Sequence, residues 1–362
     1  MGSTKHRTCS VLVVVLSLIF SCLGVAKAEQ SQINIGNGRR AANNSCNLYE
    51  GSWVWDDSYP PYDFSKCPFL PKDFDCLGHG RPDRNYLKYR WQPNNCNLPR
   101  FDGVDFLNRL RGKTIMFVGD SISYEHGQSF ICHLLAAVPS LQIIADKPNT
   151  VIFKDYEITV ILSFTEYLVD IENEQVGRVL KLDSIKNGQI WKDMDILVFN
   201  TWLWWPVSGE RQPWDYIQDG DQLVKDMDRM EALRKGLTTW AKWVNSDVDP
   251  SKTKVYFRGI TPVHYVGAEW GDPTTTGCSK ETEPVKGSTY PGGLPRQQVV
   301  AEEVLKTITT PVTLLDVTTL SQLRKDAHPG AYVGGSAEPD CTHWCIPGLI
   351  ETWNILLYAT LL

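Results

Sequence analysis

Two side chains far apart in this chain have the neighbours that acyl-ester chemistry needs. Ser121 closes the stretch Thr114-Ile-Met-Phe-Val-Gly-Asp-Ser121. An apolar run leads into it, and a helix-like segment follows. His343 stands in Asp340-Cys-Thr-His343. A hydroxyl nucleophile, an imidazole base and a carboxylate able to orient that base are all present. If they meet in space, the chain can form and break acyl esters through an acyl-serine.

Each motif alone has a plainer reading. Gly119-Asp120-Ser121 is also an ordinary turn and helix N-cap, in which Asp or Ser satisfies free backbone donors. Position adds the chemistry. Ligands of parallel α/β sheets bind beyond the carboxyl ends of the strands, and the amides of a helix N-terminus can hold an oxyanion. Gly119 lets the backbone turn sharply there. Asp340 and His343, three residues apart, allow the carboxylate to accept from one ring nitrogen while the other meets the nucleophile. Cys341 and Cys345 can pin that loop. Asn200 ends the apolar run Asp195–Asn200, where its amide could also donate to an oxyanion; an Asn closing a turn looks the same. Trp202, Trp204 and Trp205 follow at once, and they suit either a core or a platform for sugar rings. Among the other histidines, His126 and His133 lie in the helix after Ser121, where His133 reads as structural. His264 and His328 read as loop residues.

Elements must carry these groups to one place. Short apolar runs alternate with longer amphipathic ones from about residue 111. Strands are expected at Thr114–Val118, Val151–Phe153, Ile158–Phe164, Asp195–Asn200, Lys254–Gly259 and Val312–Val317. Helices are expected at Ser121–Ala137, Asp221–Val244, Leu294–Ile308 and Ile350–Tyr358. The longest has Leu223, Met227, Met230, Leu233, Leu237, Trp240 and Val244 along one stripe. Strands separated by helices imply an α/β fold with a mainly parallel sheet covered on both faces. Residues 46–100 hold four cysteines, many prolines and aromatics and little periodicity. They read as a small, loop-rich, disulfide-stapled lobe packed on residues 101–362.

The first 28 residues look like a secretory signal. Lys5 and Arg7 precede an apolar stretch from Cys9 to Ala26, and Ala26-Lys27-Ala28 offers a cleavage site. The same stretch, about 18 residues, is also long enough for an uncleaved membrane anchor. Residues 29–45 form a polar linker with an N-glycosylation sequon at Asn43. Ten cysteines include two in the signal, and the remaining eight suit disulfides in an oxidising lumen. Cys341-x-His343-x-Cys345 is not a standard zinc spacing. The net charge is −6, which argues against binding a phosphate backbone. An acidic body also gives no general attraction to anionic pectin.

Taken together, several ordered blocks resemble the plant trichome-birefringence-like family. They are Cys46-Asn-Leu-Tyr-Glu-Gly-Ser-Trp53, Tyr89-Arg-Trp-Gln-Pro93, Phe117-Val-Gly-Asp-Ser121, Phe199-Asn-Thr-Trp202, Ser288-Thr-Tyr-Pro-Gly-Gly-Leu294, Asp340-Cys-Thr-His-Trp-Cys345 and Glu351-Thr-Trp-Asn354. The resemblance covers about residues 46–362. It implies a three-layer α/β/α fold of the GDSL/SGNH-esterase kind and an O-acetyltransferase acting on cell-wall polysaccharide such as xylan or pectin. The alternatives are a polysaccharide acetylesterase with the same triad and a non-catalytic polymer binder. By resemblance Ser121 is the nucleophile, His343 the base and Asp340 its partner. The Ser121 amide, with Gly119 and Asn200 beside it, would form the oxyanion hole. The resemblance also implies the disulfides Cys46–Cys96, Cys67–Cys132, Cys76–Cys345 and Cys278–Cys341. It implies a Golgi or wall location, an acetyl donor as co-substrate, and no metal, bound cofactor or nucleic acid. After Gly-Asp-Ser the family usually runs Leu, Ser, Arg or Leu, Asn, Gln, Trp. Here the chain reads Ile122-Ser-Tyr-Glu125-His126-Gly127, and Leu203 stands where related chains often carry His.

Overall fold

The structure, a computed structural model, describes residues 46–147 and 149–362. The expected signal or anchor, the linker and the Asn43 sequon lie outside the described residues. Among the described residues, no helix is long and apolar enough to cross a membrane.

The strands, in chain order, are β1 (Gly51–Trp55), β2 (Tyr89–Pro93), β3 (Thr114–Gly119), β4 (Ile143–Lys147), β5 (Thr150–Phe153), β6 (Ile158–Phe164), β7 (Asp170–Glu174), β8 (Gly177–Lys181), β9 (Ile196–Phe199), β10 (Tyr216–Asp219), β11 (Gln222–Val224), β12 (Lys254–Arg258) and β13 (Val312–Leu315). The helices are α1 (Gly103–Arg109), α2 (Ser121–Ala137), α3 (Gly188–Trp191), α4 (Arg229–Asp247), α5 (Arg296–Leu305), α6 (Thr318–Gln322) and α7 (Ile350–Ala359).

The main sheet has the order β13-β12-β9-β3-β6-β5-β4. Its first five strands are parallel, and β5 and β4 extend it as an antiparallel edge. The expected mainly parallel, doubly covered α/β sheet is therefore what the chain builds. Alternation along the strands divides the core in two. Ile115 and Phe117 of β3, with Ile196 and Val198 of β9, face one layer. Met116, Val118, Leu197 and Phe199 face the other. The first layer contains α1, α2 and α7, and the second contains α4 and α5, which pack on each other.

β3 and α2 meet the expected positions almost to the residue. Five of the six β3 residues are buried. Asp120 then caps α2 by accepting from the Ile122 amide at 3.1 Å.

The long helix expected at 221–244 is a correction. Its first residues instead form a hairpin, β10–β11, with Asp219 opposite Gln222 around Gly220-Asp221. Gly220 has φ +58°, a left-handed value that suits this turn. The helix starts at Arg229, where Asp228 accepts from the amides of Met230 and Glu231, both at 2.9 Å. Leu223 and Met227 continued the helical stripe only by coincidence of spacing. A second sheet, β11-β10-β8-β7, was also not foreseen. β7 and β8 are too polar to show an apolar alternation; Lys181 and Lys186 pair there with Glu172 and Glu174.

The strands of the N-terminal lobe form the β1–β2 pair, with Trp53 opposite Trp91. The Trp53 indole donates to the Leu320 carbonyl at 2.8 Å. Four disulfides, Cys46–Cys96, Cys67–Cys132, Cys76–Cys345 and Cys278–Cys341, are the pairs the resemblance implied. One ties the lobe to α2, and another ties it to the loop that carries His343.

Candidate active site

Ser121 is the first residue of α2, just past the carboxyl end of β3. The first helical amides have no partner within the helix; Asp120 takes those of Ile122, Ser123 and Tyr124, and the Ser121 amide stays beside its own hydroxyl. Gly119 is required by close approach. A Cβ there would stand 2.2 Å from the Asn200 carbonyl oxygen, at φ +154°.

The structure brings the three predicted groups into one line. The Ser121 hydroxyl donates to His343 Nε2 at 2.8 Å. His343 Nδ1 donates to Asp340 Oδ2 at 2.7 Å. Asp340 Oδ1 accepts from the amides of Thr342 and His343 at 2.7 and 2.9 Å. That tautomer leaves Nε2 free to take the serine proton. Burial raises the Asp340 pKa, but the hydrogen bond and charge of His343 and the two amides outweigh it, leaving it at about 2. Burial works against the His343 charge too. The Asp340 hydrogen bond, then the Glu125 and Asp340 charges, overcome it, and the pKa ends above its ordinary value.

The loop bearing His343 is held from several sides. Phe74 stacks on the imidazole at 4.6 Å. Glu125, one turn into α2, accepts from the Trp344 amide at 2.9 Å. Burial pushes Glu125 up to about 8. The Cys278–Cys341 and Cys76–Cys345 bonds flank the loop.

Sequence reasoning missed two further supports. Arg258, the last residue of β12, is fully buried and donates to the Ile122 carbonyl at 2.9 Å. Its charge lies near Asp120 and Glu125, and burial lowers its pKa to about 10. A cation closing an otherwise apolar strand was the available signal. The second support is a histidine pair. His264 and His328, expected as loop residues, are buried and in contact, Nδ1 to Nε2, at 2.6 Å. His328 Nδ1 donates to the His343 carbonyl at 2.6 Å, and His264 Nε2 faces the Gln322 carbonyl at 2.9 Å. Burial lowers both pKa values, His264 to about 4 and His328 further. Two neutral rings carry two ring protons, whereas these three contacts need three. One of the three contacts therefore goes without a proton until the pair binds another.

Other expected residues stand elsewhere. Asn200 has no solvent exposure, and its amide donates to Asp120 Oδ1 at 2.7 Å. It holds the N-cap of the Ser121 helix. Trp205 has no exposed face for a sugar: it is fully buried, donates to Thr201 Oγ1 at 2.8 Å and packs edge-on against Tyr167. Trp204 is half-buried. Trp202 is 5% exposed and borders a cavity. His126 is buried between Phe117 and Trp353, away from Ser121, and His133 stacks on Phe101. A cavity of about 890 Å³ is bordered by His133 near the far end of α2. Among the described residues, no group of three or more His, Cys, Asp or Glu side chains could hold a metal ion.

Comparison with known proteins agrees with this architecture. Residues 98–360 match the GDSL/SGNH-like acyl-esterase family found in Pmr5 and Cas1p, and residues 44–97 match the PMR5 N terminal domain. Protein trichome birefringence-like 38 of Arabidopsis thaliana is 53% identical, with 93% of this chain and 88% of the relative covered. Protein trichome birefringence-like 39 of the same plant is 49% identical, with 94% of each covered. The chain belongs to the trichome-birefringence-like family. Protein trichome birefringence-like 43, 44% identical over 99% of this chain and 98% of its own length, extends the match into the residues before 46. In this trichome-birefringence-like chain the acyl-esterase fold thus places a hydroxyl, an imidazole and a carboxylate in hydrogen-bonded sequence.

Proposed function

We propose that this protein transfers acetyl groups to hydroxyls of a plant cell-wall polysaccharide through an acetyl-serine. The carrying observation is the Ser121–His343–Asp340 line, at 2.8 and 2.7 Å, in a chain of an acyl-esterase family. His343 Nε2 takes the Ser121 proton as Oγ attacks the acetyl carbonyl. The Ser121 amide at the start of α2 stabilises the oxyanion, and the donor's leaving group departs with the proton from His343. A sugar hydroxyl then gives its proton to His343 and attacks the acetyl-serine. Collapse of the second tetrahedral species restores Ser121 and releases the acetylated sugar. No step needs a metal or a bound cofactor; the acetyl donor is a co-substrate. Four disulfides support work in an oxidising secretory compartment, the Golgi or the wall.

The family description speaks of acyl esterases. Water in place of the sugar hydroxyl gives that second reading with the same residues. Incubation with an acetyl donor and deacetylated xylan or pectin oligomers separates the two. Acetyl gain that disappears in Ser121→Ala supports transfer; Ser121-dependent acetyl loss from acetylated polymer supports the esterase. Polymer retention that Ser121→Ala leaves unchanged, with no turnover, is the behaviour of a binder and would overturn both.

A further inference from the structure

The N-terminal lobe places one aromatic ring on the imidazole that faces Ser121. Phe74 ends the short 3₁₀ turn Lys72–Phe74. It is half-buried and belongs to none of the hydrophobic clusters that build the core. Among the described aromatic rings it pairs with His343 alone, with 4.6 Å between centroids and 17° between planes. Core packing therefore does not explain where this ring stands, and the imidazole does.

The turn is fastened to the loop that carries His343. The Phe74 carbonyl accepts from the Cys76 amide and from the Ile346 amide, just beyond His343, both at 3.0 Å. The Asp73 carbonyl accepts from the Gly334 amide at 2.8 Å, and Cys76 is bonded to Cys345. Main-chain bonds and a disulfide hold the turn whatever its side chain, which leaves the face of the ring as the contribution of Phe74 itself.

The chemistry gives that face a task. His343 Nδ1 donates to Asp340 and Nε2 accepts from Ser121, so both edges of the imidazole are engaged. When Ser121 Oγ attacks an acyl carbonyl, its proton moves to Nε2 and the ring becomes an imidazolium, with charge spread over its faces. The His343 side chain is only 19% exposed, so water does little to support that charge. An aromatic face within about 6 Å attracts a cation through the ring quadrupole, more strongly where water is excluded.

We propose that Phe74 is a positioning residue of the acyl-serine site: it fixes the plane of His343 and supports the imidazolium that forms as Ser121 gives up its proton. The N-terminal lobe then supplies part of the site. The proposal rests on the acyl-serine reading and holds for transfer and hydrolysis alike. Three proteins test it. Phe74→Leu keeps apolar bulk without a π face, and Phe74→Tyr keeps the face. Trifluorophenylalanine in place of Phe74 keeps the shape and weakens the face. Each is read by kcat/KM for an aryl acetate against pH, and by the titration midpoint of His343 in NMR of ring-labelled histidine. With Phe74→Leu and with the fluorinated ring, the midpoint and the acid limb should both move about half a unit to lower pH, and the plateau should fall on the order of threefold. Phe74→Tyr should match the wild type. The charged and titratable groups around the stack are the same in all three. They are Asp340 on the loop, Asp120 and Glu125 at the start of α2, Arg258 against both, His328 behind the loop, and Lys72, Asp73 and Asp75 beside Phe74. A midpoint that stays in place with the fluorinated ring would overturn the proposal, as would Phe74→Tyr shifting as far as Phe74→Leu. Should Phe74→Leu fail to fold, the fluorinated ring decides by the same two readings. Either overturning result, with hydrolysis still dependent on Ser121, removes the proposal alone. Hydrolysis that survives Ser121→Ala removes the acyl-serine reading and the proposal with it.

Discussion

On the α4 and α5 side of the main sheet, the core is built from rings. Trp191 and Trp240 pack edge-on against Phe199, and Trp243 packs edge-on against Trp191. On the α2 and α7 side, equal burial encloses charge and hydrogen bonds. Ser129 donates to Glu351 at 2.6 Å, Asn354 donates to Ser129 at 3.0 Å, and Glu125, His126 and Arg258 lie in the same layer. The aromatic side packs ring on ring, with the Trp191, Trp240 and Trp243 indole N–H groups bonded to no other described group, and supplies a stiff back to the sheet. The polar side must align α2, the β12 end and a loop from late in the chain, so directional bonds and disulfides do there what packing alone cannot. One sheet thus separates support from chemistry.

The hardest test of that division is Ser121→Ala. Hydrolysis of a small aryl acetate should fall about 10⁴–10⁶-fold, with little change in melting temperature. A large loss of stability would mean that the site is also structural. Asp340→Asn comes next, with a fall in turnover of about 10⁴-fold. Removing the carboxylate that favours imidazolium also lowers the His343 pKa. The acid limb of the kcat/KM profile, where activity rises as His343 loses its proton, should then move to lower pH. A limb that stays in place would show that another group sets it.

Trp240→Ala probes the aromatic side. It should cost about 3–5 kcal/mol in denaturant unfolding while leaving activity per folded molecule within a factor of about two, since such deletions act mainly through the cavity left behind. A matching loss of kcat would join the two layers that the comparison separates.

Glu125→Gln is the gentlest change. The folded pKa of Glu125 is raised from 4.5 to about 8, so its stabilising effect is complete below 4.5 and is lost as pH rises through 8. The Gln side chain keeps the bond to the Trp344 amide and has no charge to bury. Wild-type melting temperatures should therefore decline across that window more steeply than those of Glu125→Gln. The slope that remains sums opposed groups: Asp316, raised to about 6, with Asp120, Glu351 and His343 act in the same sense, and the buried His126, His133, His264 and His328, lowered by burial, act against them.

Much of this arrangement can be read from local pattern. The β3 run, the Asp120 cap and α2 need only neighbouring residues to specify them. The hairpin at residues 216–224 shows how pattern misleads: Leu223 and Met227 keep a helical spacing, while Asp219-Gly220 turns the chain back and Asp228 starts the helix later. Ser121, His343 and Asp340 stood out by type and setting, whereas their hydrogen-bonded line is a property of the fold. Trp205 showed the opposite failure, since a run of tryptophans does not tell which ring is covered. Arg258, Glu125 and the His264–His328 pair escaped notice because each acts through residues remote in the chain, and no local spacing encodes that.

The bond between Cys76 and Cys345 has a bearing on how the molecule is made. Its partners are 269 residues apart. At about 5–20 residues per second, that gap takes roughly 15–50 s to synthesise. Throughout this interval the first thiol has Cys46, Cys67 and Cys96 on the same chain, any of which is a nearer mate. A premature link must be undone by thiol exchange before the late loop can be captured. The histidine loop is thus secured only near the end of manufacture, and an oxidative refolding mixture short of isomerase should accumulate soluble, cross-linked but inert chains.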